Sequence, residues 1–147
     1  MNNRYIYRGK GNPKYNDGEW YYGYLTYDGS DYQIVDSEYG SCKRTVIPET
    51  VGQCTGLEDN NGKLIFEGDI LKGFSYPFLS DGEYNYYAIV VWFENSPAFG
   101  TCTVKNPQAK MRGISDGDTN YMDDWNSNDW EVIGNEFDNP ELLEAER

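Results

Sequence analysis

Carboxylates are the side chains that could do acid–base or metal chemistry in this sequence. Its 147 residues contain 25 Asp and Glu, 12 Lys and Arg and no His, which gives a formal net charge of −13. Two carboxylates suffice for glycoside hydrolysis when one has a raised pKa. Glu67 and Asp69, which flank Gly68, are the first candidates for such a pair. The favoured interpretation is structural, since Asp69 can stabilise a turn by accepting hydrogen bonds from backbone amides.

The absence of histidine excludes several familiar kinds of site. Ser-His-Asp triads, Cys-His dyads and histidine-based zinc sites all need that residue. No GxxxxGK[ST] or GxGxxG motif supports nucleotide binding. A pI near 4.2 argues against nucleic acids and anionic membranes as partners, because both are attracted mainly by Lys and Arg. We therefore expect a protein that is not an enzyme and has no catalytic residue, metal or cofactor.

One acidic segment has the spacing of a calcium-binding loop only in part. Asp116, Asp118 and Asn120 place oxygen ligands at alternate positions. The sixth position is Tyr121 instead of glycine, and the twelfth is Ser127 instead of glutamate. This pattern favours a solvated acidic loop over a calcium site.

Most of the acidity lies at the C-terminal end. Residues 115–147 hold eleven acids and one base, whereas residues 1–114 hold fourteen acids and eleven bases. Two hypotheses follow: a solubilising surface, or an acidic DNA mimic that acts as a decoy for a basic host protein. The candidate acidic patch consists of Asp116, Asp118, Asp123, Asp124 and Asp129.

Aromatic residues are the second notable group, at 16% of the chain. Alternation along 20–27 places three of them on one face of a predicted strand, and a second group lies at 84–87. Such faces either pack within the chain or contact a partner, and both interpretations stay open. The candidate binding residues are Trp20, Tyr22, Tyr24, Tyr84, Tyr86 and Tyr87.

The elements that would position these residues are mostly short β-strands, since aromatic and β-branched residues are frequent and long helical periods are missing. Asn61-Gly62 predicts a type I′ hairpin turn. Asn139–Glu146 has an N-cap residue followed by proline, which predicts a short C-terminal helix docked through Leu142 and Leu143. The predicted strands are 4–7, 20–27, 32–35, 44–47, 64–66, 70–74, 84–93, 101–104 and 131–135.

The cysteines and the hydropathy pattern predict a cytoplasmic protein. Cys42, Cys54 and Cys102 are odd in number and include no CxxC pair, which favours buried free thiols over a Cys42–Cys54 disulfide. The N-terminal residues lack the apolar core of a signal peptide, and the longest apolar run, Ala88–Phe93, is too short to span a bilayer.

One continuous stretch of sequence resembles the signature of the YopX family of phage and prophage proteins. The resemblance lies in Ile47–Leu57, Asp59, Asn61-Gly62-Lys63 and Ile65–Ile70. Arg8-Gly9-Lys10, Trp130–Asn135 and Asn139–Leu143 agree with it in order and position. Departures occur at Cys54, where the family more often has an aromatic residue, and in 73–87 and 95–129, which share no motif and are predicted to be variable loops.

The resemblance implies a mainly β fold that contains a small SH3-like barrel, with additional antiparallel strands and a short C-terminal helix. It implies a bacterial host cell and no established biochemical activity. We divide the chain into an N-terminal β segment, 1–56, and a barrel region with the acidic part, 57–147, with one continuous domain as the alternative.

The sequence as a whole favours a non-catalytic protein-interaction module. Its expected partner is another protein or a second copy of the chain, which would make a homo-oligomer, through an aromatic β surface. The alternatives are the acidic decoy and a carboxylate- or metal-dependent hydrolase that uses Glu67 and Asp69 or the acidic patch.

Overall fold

A computed structural model describes residues 5–36, 42–74, 85–93, 98–105, 119–121 and 130–143. The described strands form two antiparallel sheets, so the prediction of a mainly β protein is confirmed. The strands are β1 (Tyr7–Lys10), β2 (Trp20–Tyr27), β3 (Tyr32–Asp36), β4 (Lys43–Thr45), β5 (Gly52–Glu58), β6 (Leu64–Phe66), β7 (Asp69–Phe74), β8 (Asn85–Phe93), β9 (Ala98–Lys105), β10 (Thr119–Tyr121) and β11 (Trp130–Asn135).

The chain divides into two compact units, residues 1–56 and 57–147. In the first unit the strand order is β4-β3-β2-β1-β5, with antiparallel pairing throughout. A β-bridge between Gly11 and Val46 links the chain beyond the end of β1 to the chain beyond the end of β4. Ile34, Val46 and Cys54 are fully buried there.

Gly9 allows a close approach between β1 and the residue that follows β4. A Cβ atom at this position would lie 2.9 Å from each of three side-chain atoms of Val46. Val46 is buried and has a stiff, β-branched side chain that cannot swing aside. The glycine of the Arg8-Gly9-Lys10 motif is therefore explained by packing.

The second unit contains the last residues of β5 and the strands β6 to β11. β6 is hydrogen-bonded to β5, and the remaining strands follow the order β10-β9-β8-β7-β11. Ile65, Leu71 and Val90 form a cluster of buried residues. Four partly buried side chains pack against it: Leu57, Phe99, Trp130 and Val132.

Two architectural predictions are not confirmed. The strands in the described part of the chain form two sheets without a closed barrel, so the SH3-like barrel is not seen. The predicted C-terminal helix is represented by one 3-10 turn, Pro140–Leu143. The Leu142 N–H donates to the Asn139 carbonyl at 3.0 Å, which is the i to i+3 bond of the tighter helix.

The strand boundaries show where local patterns were sufficient. The predictions for 20–27 and 64–66 are confirmed, and those for 32–35, 44–47, 70–74, 84–93, 101–104 and 131–135 differ from the observed strands by one to three residues at one or both ends. The prediction of the opening strand was wrong, because this strand runs over Tyr7–Lys10 instead of 4–7. β5 and β10 were not predicted, since two glycines interrupt the first and acidic turn residues surround the second.

Candidate binding surface

The three aromatic residues predicted to share a face of β2 occur at alternate positions of one strand. Successive side chains of a strand point to opposite faces, so Trp20, Tyr22 and Tyr24 lie on the same side. Tyr22 is 50% exposed and Tyr24 is 40% exposed, whereas Trp20 is half-buried. Two large aromatic side chains thus lie at the surface of a hydrogen-bonded sheet.

Neighbouring strands add basic residues to this face. Arg8 is opposite Tyr22 and Lys10 is opposite Trp20. Directly opposed residues of antiparallel strands share a face. The Arg8 guanidinium, which is buried, lies 4.9 Å from the centre of the Trp20 ring and makes a cation–π contact. Arg8 therefore packs against the Trp20 ring on this face.

The far side of the face is formed by β3 and β4. Val35 is opposite Tyr24, and Lys43 is opposite Val35. Lys43 is exposed and Val35 is buried. We define the β2 face as Arg8, Lys10, Trp20, Tyr22, Tyr24, Thr26, Gln33, Val35, Lys43 and Thr45, none of which is acidic.

The opposite face of β2 carries contacts within the first unit. Leu25 is opposite the fully buried Ile34. Farther along, the Tyr27 and Tyr32 rings pack with their centroids 4.8 Å apart. Leu25 and Ile34 on this side therefore pack within the first unit, whereas the paired rings near the end of the hairpin are exposed, Tyr27 at 58% and Tyr32 at 39%.

Tyr21 belongs to a small polar cluster on that opposite side. Its hydroxyl donates a hydrogen bond to Asp17, and the Arg44 guanidinium lies 5.3 Å from the centre of its ring. The hydrogen bond from Tyr21, followed by one from the Glu19 backbone, lowers the pKa of Asp17. The same bond raises the pKa of Tyr21. The Tyr21 ring and hydroxyl therefore both make contacts within the first unit.

The β2–β3 hairpin ends in a carboxylate-stabilised turn. Asp28 Oδ1 accepts hydrogen bonds from the backbone N–H groups of Ser30, at 2.8 Å, and Asp31, at 2.7 Å. The Asp31 bond, followed by the Ser30 bond, lowers the pKa of Asp28, and the charge of Lys43 contributes. This turn holds the two long strands in a single register.

The second predicted aromatic group is not brought together in the same way. Tyr84 lies outside the described residues. Tyr86 and Tyr87 are adjacent in β8, opposite Gly73 and Lys72, so their positions belong to different faces. Tyr87 is half-buried. Trp92, which was not predicted as a binding residue, is 43% exposed and contacts Phe99 edge-on, with ring centroids 4.9 Å apart.

The first candidate catalytic pair has the geometry of a turn. Asp69 is buried, and its Oδ2 accepts a hydrogen bond from the Phe66 backbone N–H at 2.8 Å. Gly68 between the two acids has φ +90°, a conformation that favours glycine. This bond from a backbone amide agrees with the structural interpretation of Asp69. Asp116, Asp118, Asp123, Asp124 and Asp129, the acidic patch, lie outside the described residues.

Asp59 is a buried carboxylate whose role was not predicted from the sequence. Its Oδ1 accepts from the backbone N–H groups of Asn61, at 2.8 Å, and Lys63, at 2.9 Å. Its Oδ2 accepts from the Val132 N–H at 3.0 Å, which ties the β5–β6 hairpin to β11. Burial raises the pKa of Asp59, but these three donors and the charge of Lys63 together outweigh it and lower that pKa.

The Asn61-Gly62 turn differs from its prediction. Among the described residues only glycines have positive φ, and Gly62 has φ +77°. Asn61 is therefore outside the left-handed region that a type I′ turn requires. The Gly62 N–H donates to the Asp59 carbonyl at 3.1 Å and closes the turn. The Asp59 carboxylate binds the Asn61 N–H, so side-chain hydrogen bonding decides the turn's shape.

The cysteines are free thiols in the described part of the chain. Cys42 is exposed and Cys54 is buried, so the expectation of a buried thiol was wrong for Cys42, and the alternative disulfide is not formed. Cys54 Sγ accepts from the Gly56 N–H at 3.4 Å. No three His, Cys, Asp or Glu side chains within the described ranges are grouped to hold a metal ion. No helix in those ranges could cross a bilayer.

The sequence of the chain matches a known protein family. A family model described as YopX protein matches residues 6–144, which include nearly all of both units. A comparison with curated proteins finds no match.

Proposed function

The chain belongs to the YopX family, and from that premise we propose that it is a non-catalytic interaction module that binds a protein through the β2 face. The partner is a phage or host protein, or a second copy of this chain, in the cytoplasm of a bacterial host cell. The YopX signature supports the phage and bacterial setting.

The main observation in support of this proposal is the exposure of Tyr22 and Tyr24. Tyrosine is enriched at protein interfaces because a rigid, amphipathic ring buries much area at a small cost in side-chain entropy. Here two such rings occupy alternate positions of an eight-residue strand that is paired on both sides. A surface that is ordered before binding loses little entropy when a partner docks.

Charge supports a second candidate function, the acidic decoy. Residues 57–147 hold eighteen acids and six bases, whereas residues 1–56 hold seven and six. The second unit thus bears nearly all the net negative charge and would attract a basic host protein. Such binding is screened by salt, so capture that survives 0.5 M NaCl would contradict the decoy, whereas docking of aromatic rings resists salt.

The double variant Tyr22→Thr/Tyr24→Thr tests the proposed interface. Threonine keeps the β propensity of the strand while it removes both rings. We expect at least a tenfold loss of partner capture from cells that produce the protein, or of self-association measured by light scattering, because central tyrosines commonly dominate binding energy.

The matched control is Tyr5→Thr/Tyr15→Thr, which removes two tyrosines that are exposed and lie outside the β2 face. It should leave capture and self-association unchanged. Urea unfolding of both double variants establishes that each is folded. Equal capture by the two folded variants would contradict the proposed surface.

A further inference from the structure

We infer that the β2 face binds an extended, acidic polypeptide segment whose carboxylates pair with Lys10 and Lys43 while its backbone crosses Tyr22 and Tyr24. This inference rests on the proposed binding function of the same face and adds the chemistry of the partner. It follows from the charges on the face, their spacing and the net charge of the chain.

The β2 face is locally basic within an acidic protein. Its ten positions include Arg8, Lys10 and Lys43 and no Asp or Glu, although the whole chain has a net charge of −13. Asp17 accepts a hydrogen bond from Tyr21 on the opposite side, and Asp28 caps the hairpin turn, close enough to Lys43 for that charge to help lower the pKa of Asp28. A partner that matches this face by charge is therefore acidic.

The spacing of the basic residues fits an extended segment. Lys10 is on β1 and Lys43 is on β4, three strands away in the sheet order, which is about 14 Å at the usual strand spacing. Lys10 is opposite Trp20 of β2, and Lys43 is aligned with Tyr24 through Val35. Tyr22 therefore lies between the two lysines along the direction of β2. An extended peptide of about six residues covers roughly 20 Å. It can reach both lysines while it lies on the tyrosine rings.

A polypeptide fits these observations better than a single-stranded nucleic acid does. A nucleic acid carries one negative charge per nucleotide, and its binding depends on neutralising many phosphates. The face offers two lysines that are not buried, together with one buried arginine. The remaining charge of the chain would repel a long polyanion, whereas a short segment with a few carboxylates needs only the lysines at the face.

The test uses a fluorescein-labelled, twelve-residue peptide of alternating Glu and Ser, titrated with the full-length chain in 50 mM NaCl and followed by fluorescence anisotropy. We expect saturable binding that weakens in 300 mM NaCl. Lys43→Glu should weaken it about three- to tenfold, because a pairing charge becomes a repelling one. Lys14→Glu reverses another exposed lysine of the first unit, outside the β2 face, and should have little effect.

The two variants and a second probe separate this inference from the proposed function. The inference is overturned if the peptide does not bind, if Lys43→Glu and Lys14→Glu weaken binding equally, or if a twelve-nucleotide oligothymidylate binds more tightly than the peptide. The proposed function still stands in those cases if Tyr22→Thr/Tyr24→Thr abolishes partner capture. If that variant retains capture, the proposed function itself fails.

Discussion

Replacing Asp59 by alanine is expected to lower the free energy of unfolding of the second unit by about 3 kcal/mol. Asp59 is 3% exposed, and its two carboxylate oxygens accept three backbone hydrogen bonds. Alanine would leave the Val132 N–H without this acceptor and would release the Asn61 turn. Hydrogen bonds to a charged acceptor are among the stronger ones, and orphaned donors add a desolvation cost.

Urea unfolding at pH 7, followed by circular dichroism and tryptophan fluorescence, measures this loss. Asp59→Asn is the matched variant, because it keeps the size of the side chain and one carbonyl acceptor, and its loss should be smaller. Glu58→Ala, at an exposed neighbouring position, is the control. A change below about 0.5 kcal/mol for Asp59→Ala, the range of ordinary surface substitutions, would contradict the role assigned to this carboxylate.

The stabilisation by Asp59 should also depend on pH. The folded state lowers its pKa below the ordinary value. The contribution is therefore fully present above the pKa of the unfolded chain, about 3.9, and is lost as the pH falls through the lower pKa of the folded state. The stability difference between wild type and Asp59→Asn should be constant from pH 7 to about pH 5 and shrink at lower pH. A difference that grows toward low pH would contradict this sign.

Replacing Leu71 by alanine should produce the second large effect, a loss of about 2–5 kcal/mol. Leu71 is fully buried in the core cluster with Ile65 and Val90. Strands pair on both sides of β7, which limits how far the surroundings can close on the cavity. The loss should appear in the urea midpoint with little change in slope.

Lys72→Ala is the control for this substitution. Lys72 follows Leu71 on the same strand, faces the other side of the sheet and is only half-buried. It should change the free energy of unfolding by less than about 1 kcal/mol. Equal losses for Leu71→Ala and Lys72→Ala would contradict the role of Leu71 in the core cluster.

Short-range features of the fold were predictable from the sequence. The turn after β6 depends on residues three positions apart, since the Asp69 carboxylate accepts a hydrogen bond from the Phe66 backbone N–H. The opening strand was misplaced because Arg8-Gly9-Lys10 has little β propensity of its own. Its glycine is required by Val46, whose contact arises only after the chain has folded back.

The candidate site was predictable to a similar extent. Alternation alone placed Trp20, Tyr22 and Tyr24 on one face. Alternation within β2 does not predict that Lys43 is aligned with Tyr24 two strands away. That alignment depends on the registers of the β2–β3 and β3–β4 pairs. The same limit hid the role of Asp59, whose donor Val132 is 73 residues away in sequence.

The central claim, that the β2 face is covered by a partner, is tested most directly by hydroxyl-radical footprinting of the unmodified protein. Tyrosine oxidation is compared between cells that produce the protein and a dilute purified sample, with the exposed Tyr15 as internal reference. We predict that Tyr22 and Tyr24 are oxidised at least threefold less in cells, relative to Tyr15, because a docked partner excludes solvent from both rings. Equal oxidation of Tyr22 and Tyr24 in cells and in dilute solution, relative to Tyr15, would contradict the claim.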